Sequence, residues 1–214
     1  DVCTILPWQM YLIYGDREIL RRQYVTMKRW VDYMHTKGED YIERKHFGDW
    51  LSQDAEDPKS CYGGTDSKFL ALAFRAYSTS LFIKSSEILG ICEDDYKDYA
   101  IKLEETKQEI RERFFKDGMT TLTSQTAHVL TLQFELCEAK YLQAHADRLA
   151  EMIHANGDRL TTGFLGTPYL LHVLEDHGHI DLAYTLLFQN KLPSWLYAVE
   201  HGATTMWEHW DGVR

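Results

Sequence analysis

The chain has 214 residues, 44% of them hydrophobic and 26% charged, enough for one large domain or two small ones and for a sizeable core. Twenty-three Lys and Arg against 33 Asp and Glu leave a net charge of −10 with no basic cluster, which argues against a nucleic-acid partner. No run of about 18 apolar residues could span a membrane, and no basic and apolar leader opens the chain at Asp1. The four cysteines (Cys3, Cys61, Cys92 and Cys137) lack CxxC spacing and give neither a disulfide framework nor a zinc site, so the compartment stays open. Only four prolines accompany six tryptophans, which points to long helices bearing platforms for flat ligands.

Apolar periodicity predicts eight helices. The first covers Cys3 to Tyr14, where Ile5, Trp8, Tyr11 and Leu12 recur and Gly15 stops it. Asp16 is an N-cap candidate for a second, reaching about His35. Asp66 opens a third, Phe69 to Leu89, with Gly90 at its C′ position. A fourth, about Asp94 to Phe115, alternates acidic and basic residues as a solvated face does. Ser124 caps a fifth, Gln125 to Leu136, and a sixth runs from Ala139 to His154. Thr167-Pro168 starts a seventh that Gly178 ends, and an eighth covers Ile180 to Gln189. No strand pattern is convincing, although 163–166 and 41–50 have room for short extended pieces.

The connections alternate between short and long. Helices joined by short connections pack as antiparallel neighbours. An up-and-down order then gathers the long connections, 37–65, 116–123, 156–167 and 191–210, at one end. These loops are chemically dense. They hold His46-Phe47-Gly48-Asp49-Trp50, Gly163-Phe164-Leu165-Gly166, and Trp207-Glu208-His209-Trp210. An indole offers an apolar platform to the C–H face of a sugar, and a carboxylate accepts from its hydroxyls.

Two readings stand for each candidate. Glu208, between Trp207 and Trp210, is either a partly desolvated proton-transfer group or a structural partner of an Arg or Lys. Asp49-Trp50 is either a sugar-binding pair or a cap beside a core indole, and the helical spacing of Trp8 favours a buried core position over a ligand-facing one. His177-Gly178-His179 lacks a third ligand and reads as a surface turn, so neither a metal nor another cofactor is expected. Gly63-Gly64 and Gly163-x-x-Gly166 are not phosphate loops; they read as tight turns that let backbone approach a ligand.

Taken together, the loop segments resemble the catalytic domain of bacterial α-L-rhamnosidases, glycoside hydrolase family 78. The matching stretches are Asp1 with Leu6-Pro7-Trp8 and Tyr14-Gly15-Asp16, then Phe47-Gly48-Asp49-Trp50-Leu51 and Gly63-Gly64-Thr65-Asp66. Ala76-Tyr77-Ser78-Thr79, Gln125-Thr126-Ala127 and Leu160 through Pro168 follow, and after them Asp176-His177-Gly178, Pro193 through Tyr197 and Gly202 through Glu208, all in the family's order.

The resemblance implies an all-α (α/α)6 barrel, a six-hairpin toroid, and inverting hydrolysis of terminal α-L-rhamnose from a rhamnose-containing carbohydrate. Inversion places two carboxyl groups roughly 6.5–9.5 Å apart on opposite faces of the sugar. It assigns the general base to Glu208, and a pocket lining to Asp1, Trp8 and Trp50 beside Asp49, Trp207 and Trp210. The family's general acid sits in an Asp-Cys-Pro-x-Arg-x-Glu segment absent here, and about eight of some twelve helices can be placed. Residues 1–214 therefore read as a partial catalytic domain, weakly active or inactive alone, with faces open to self-association. Two alternatives remain open. One is another (α/α)6 carbohydrate enzyme of the unsaturated glucuronyl hydrolase, phosphorylase or lyase type; the other is a non-catalytic sugar-binding helical module.

Overall fold

The computed structural model describes residues 1–44, 47–57 and 60–212; His46 lies outside them. The chain divides into two units, Asp1–His46 with Ser67–Arg113, and Phe47–Asp66 with Phe114–Arg214. No helix among the described residues is long and apolar enough to cross a membrane.

The first unit is built from α1 (Val2–Tyr14), α2 (Arg17–Lys37), α3 (Glu39–Glu43), α4 (Ser67–Leu89) and α5 (Lys97–Phe114). Gly15 turns the chain at φ 67°, and the Asp16 carboxylate then accepts from the Glu18 amide at 2.8 Å, so α2 starts where its cap predicts. Helix α2 buries Leu20, Met27, Val31 and Met34, one stripe at helical spacing. In α4 every side chain from Phe69 to Thr79 is buried, and the guanidinium of its Arg75 is met by Glu109 of α5. Helix α5 turns Tyr99, Thr106 and Ile110 inward and leaves Glu104, Glu105 and Glu112 in solvent, the face its charge pattern predicts.

After Phe47–Asp66, the described residues of the second unit form a hairpin, β1 (Phe115–Lys116) and β2 (Met119–Thr120), then five α-helices with a short 3-10 turn at Ala139–Tyr141. These are α6 (Gln125–Gln133), α7 (Leu142–Ala155), α8 (Thr167–Asp176), α9 (Ile180–Leu187) and α10 (Trp195–Glu200). Its core joins Val129 and Leu132 of α6, Leu149 and Ile153 of α7, Leu170 and Leu174 of α8, and Leu182 and Leu186 of α9. The hairpin replaces a segment expected to be irregular. Asp117 and Gly118 both take positive φ, 51° and 83°, the pair that matches the twist of two-residue hairpins. Helix α10 was also unexpected; the Ser194 hydroxyl caps it by accepting from the Tyr197 amide at 3.1 Å.

Two histidines are buried between α6 and α7. His145 Nε2 lies 3.2 Å from the Gly118 carbonyl, and His128 Nδ1 lies 3.1 Å from His145 Nδ1. A carbonyl only accepts, so His145 carries its proton on Nε2 and receives the Nδ1–H of His128 on its own Nδ1. A second proton on His145 would have to go on the Nδ1 that already accepts from His128. Burial, reinforced by the neighbouring His145 and Arg148, lowers His128 to about 3, and burial lowers His145 as well. The unfolded chain therefore takes up protons near pH 6.5 that the folded chain refuses. Stability is full above about pH 6.5 and declines as pH falls toward 3, by up to ~1.4 kcal/mol per pH unit per histidine. Urea midpoints measured from pH 7 to pH 4 should fall, and His128→Gln, which keeps a donor to His145, should flatten the slope. An unchanged slope in that variant would place the acid sensitivity elsewhere.

Candidate active site

Three of the long connections of the second unit meet around one cavity of about 630 Å³. The first wall comes from residues 49–52 and 161–165, which are bonded to each other. Asp49 is fully buried, and its Oδ2 accepts from the Thr126 hydroxyl of α6 and from the Gly163 amide at 2.8 Å. Its Oδ1 accepts from the Leu165 amide at 2.7 Å. Between these two amides, the Phe164 amide donates to the Trp50 carbonyl at 3.0 Å, and the Gln53 amide donates to Thr161 at 2.8 Å. Three consecutive amides, 163 to 165, are thus captured by two consecutive residues. Burial raises the Asp49 carboxyl above its ordinary value against the pull of its Thr126, Gly163 and Leu165 donors.

This corrects the expectation that Asp49 meets sugar hydroxyls. Both of its oxygens are engaged inside the protein, and none of its surface is exposed. The glycines were also expected to admit a ligand, and the close approach they permit is to backbone instead. A Cβ on Gly163 would stand 2.3 Å from the Trp50 carbonyl oxygen and 2.7 Å from both the Asp49 oxygen and the Ser52 nitrogen. One on Gly63 would stand 2.8 Å from the Asp49 oxygen.

The opposite wall comes from α10 and the segment after it. Trp210 meets Trp195 edge to face at 5.5 Å, and both pack on the core of the unit. Trp207 is half-buried, and its indole lies over Gly212, where a Cβ would come within 2.5 Å of the ring. That contact, with Gly212 at φ 67°, folds residues 207–212 back on themselves. Glu208 follows Trp207 onto the cavity wall. It is exposed rather than desolvated between its two indoles, and it forms no ion pair with a Lys or Arg among the described residues. Helix α8 contributes Thr167 and His172 to the same cavity.

Of the other residues singled out from sequence, Trp50 is half-buried and stands edge-on to Phe47 at 5.8 Å and Tyr62 at 5.6 Å, while its successor Leu51 reaches the cavity. Asp1 and Trp8 belong to the first unit. Asp1 Oδ1 accepts from the Trp30 indole at 3.0 Å and from the Ser78 hydroxyl at 2.9 Å. Trp8 is half-buried rather than a core residue and lies 5.6 Å from the Tyr11 ring. Sequence reasoning did not single out Phe164 and His172 as cavity residues. Phe164 carried a signal, an aromatic between two glycines of a long loop; His172, inside a helix, carried none. Among the described residues no three His, Cys, Asp or Glu side chains cluster as metal ligands, and His177 and His179 turn to separate partners, the Val173 carbonyl and Asp147.

A family model described as the bacterial alpha-L-rhamnosidase 6 hairpin glycosidase domain matches residues 1–214. The chain belongs to this family. Its fold is accordingly the all-α, six-hairpin (α/α)6 fold. An alpha-L-rhamnosidase of Alteromonas sp. (strain LOR) is 37% identical over 99% of this chain. The crystal structure of Streptomyces avermitilis alpha-L-rhamnosidase complexed with L-rhamnose superposes with a TM-score of 0.87 at 34% identity, over 100% of the chain. That of native alpha-L-rhamnosidase from Aspergillus terreus superposes with a TM-score of 0.88 at 30% identity, over 99% of the chain. The chain spans 24%, 20% and 25% of those three proteins, respectively. Trp207 and Glu208, at the end of the last segment that resembles the family, both line the cavity.

Proposed function

We propose that this chain is part of the catalytic domain of an α-L-rhamnosidase that hydrolyses terminal non-reducing α-L-rhamnose from glycosides or polysaccharides with inversion. The observation that carries the reading is the cavity of the second unit. Its lining combines indole and phenyl faces with one exposed carboxylate, Glu208. Rhamnose carries a methyl at C6 and is partly apolar, so aromatic walls suit it. In this reading Glu208 is the general base: it takes a proton from water as that water attacks the anomeric carbon. Trp207 and Trp210 shape the wall beside it. The resemblance also assigns Asp1, Trp8 and Trp50 to sugar binding in the parent protein, and the general acid to a motif not found in these 214 residues. The curated relatives are named α-L-rhamnosidases, which supports the substrate class.

The test is a screen of aryl glycosides with the full-length parent enzyme, with the anomer of the first product read by NMR. Release of p-nitrophenol from the α-L-rhamnoside, with the product formed as the β anomer, is expected. Preference for another glycoside, or retention of configuration, would overturn the reading. The 214-residue chain assayed alone should release p-nitrophenol at a small fraction of the parent's rate.

A further inference from the structure

We infer that Asp49 is a positioning residue that works through Phe164, setting this ring as a wall of the cavity that holds Glu208. The inference rests on the proposed function. Asp49 itself has no access to a substrate, being 0% exposed. What it controls is a loop. Its two oxygens hold the amides on either side of Phe164, and the carbonyl of the next residue, Trp50, holds the Phe164 amide itself. With three successive amides held, the backbone path at Phe164 is set, and the position of its Cα and Cβ relative to the cavity is set with it. Its ring lines the cavity and is 51% exposed.

The exposed ring offers the cavity an apolar face that the C–H face of a sugar can cover. The third donor to Asp49, the Thr126 hydroxyl, anchors the arrangement to α6 and so to the core of the unit.

The substitution Asp49→Asn keeps the shape. With its carbonyl oxygen facing Thr126 and Gly163, its amide nitrogen faces the Leu165 N–H, donor against donor. The loop then loosens at 165 first. A second variant, Thr126→Val, is milder: it removes one donor and leaves both backbone contacts.

The experiment uses the full-length parent enzyme. Wild-type cleavage of the aryl α-L-rhamnoside is measured first and tests the functional reading by itself. The coupling is a ratio among variants, read on whichever aryl glycoside the wild type cleaves, so it stands or falls separately. Phe164→Ala should raise KM about tenfold with kcat nearly kept, the loss of one apolar contact. Asp49→Asn and Thr126→Val should raise KM in the same sense and speed amide exchange at 163–165. The double variant Asp49→Asn/Phe164→Ala should have the KM of Phe164→Ala within about twofold, since the carboxylate has nothing left to position. Two results would overturn the inference: faster exchange at 163–165 in Asp49→Asn or Thr126→Val with KM unchanged, or KM penalties that multiply in the double variant.

Discussion

In the parent enzyme, Glu208→Gln should lower kcat for an aryl α-L-rhamnoside by about 10³-fold while the thermal midpoint stays within a degree or two. The size follows from removing the group that takes the proton of the attacking water; positioned general bases contribute roughly 10²–10⁴-fold. The unchanged stability follows from the position of Glu208. Its side chain is exposed on the cavity wall and makes no ion pair among the described residues, so the isosteric amide breaks nothing. KM should change little, because the substitution leaves the indoles of Trp207 and Trp210 in place. The paired measurement is steady-state kinetics and calorimetry on one preparation. Near-normal kcat would move the base elsewhere, and a fall in the midpoint of more than about 5 °C would give Glu208 a structural role.

The second large effect is on stability. Gly163→Ala should lower the thermal midpoint by roughly 6–12 °C, equivalent to about 3 kcal/mol in a chain of this size. The added methyl group would meet the Trp50 carbonyl oxygen at 2.3 Å, with the Asp49 oxygen and the Ser52 nitrogen at 2.7 Å. All three are backbone atoms, and the first belongs to a carbonyl already bonded to the Phe164 amide. Relief requires parting the two loops, which also strips Asp49 of its donors. Gly178→Ala is a fitting control: Gly178 also turns a loop, at φ 84°, but has open space around it. It should cost only the strain of a positive φ, about 1 kcal/mol. If the two substitutions cost the same, the close packing at Gly163 is not what holds the loops together.

Local signals carried most of the fold. Gly15-Asp16 ended one helix and capped the next as its chemistry requires, and Ser124 capped α6 through the Ala127 amide at 3.2 Å. The start of α8 shifted by a residue, with Gly166 rather than Thr167 before the first turn. The β-hairpin was legible in Asp117-Gly118, a dipeptide that favours two positive φ values, but strands of two residues offer no alternation to read. The site was legible in part. Long loops rich in Trp and Gly pointed to the segments that line the cavity, and the Trp-Glu pair lies on it. The inward turn of Asp49 was not legible, because its partners lie 77 to 116 residues away and two of them are backbone amides that any residue would supply. Sequence shows that a carboxylate is present; only tertiary structure shows whether it faces solvent or is already fully engaged.

The junction of residues 49–52 with 161–165 also bears on how such a chain can diverge. Asp49, Gly163 and the Trp50 carbonyl interlock at distances that leave no room for a methyl group. Neither stretch can accept a change in loop length or backbone path unless the other changes with it. They are separated by more than a hundred positions, yet their packing couples them as one unit. Of the cavity-lining side chains, Phe164 is carried by this frame, so a change in either stretch moves that wall, whereas His172 of α8 and Met206 after α10 lie outside it.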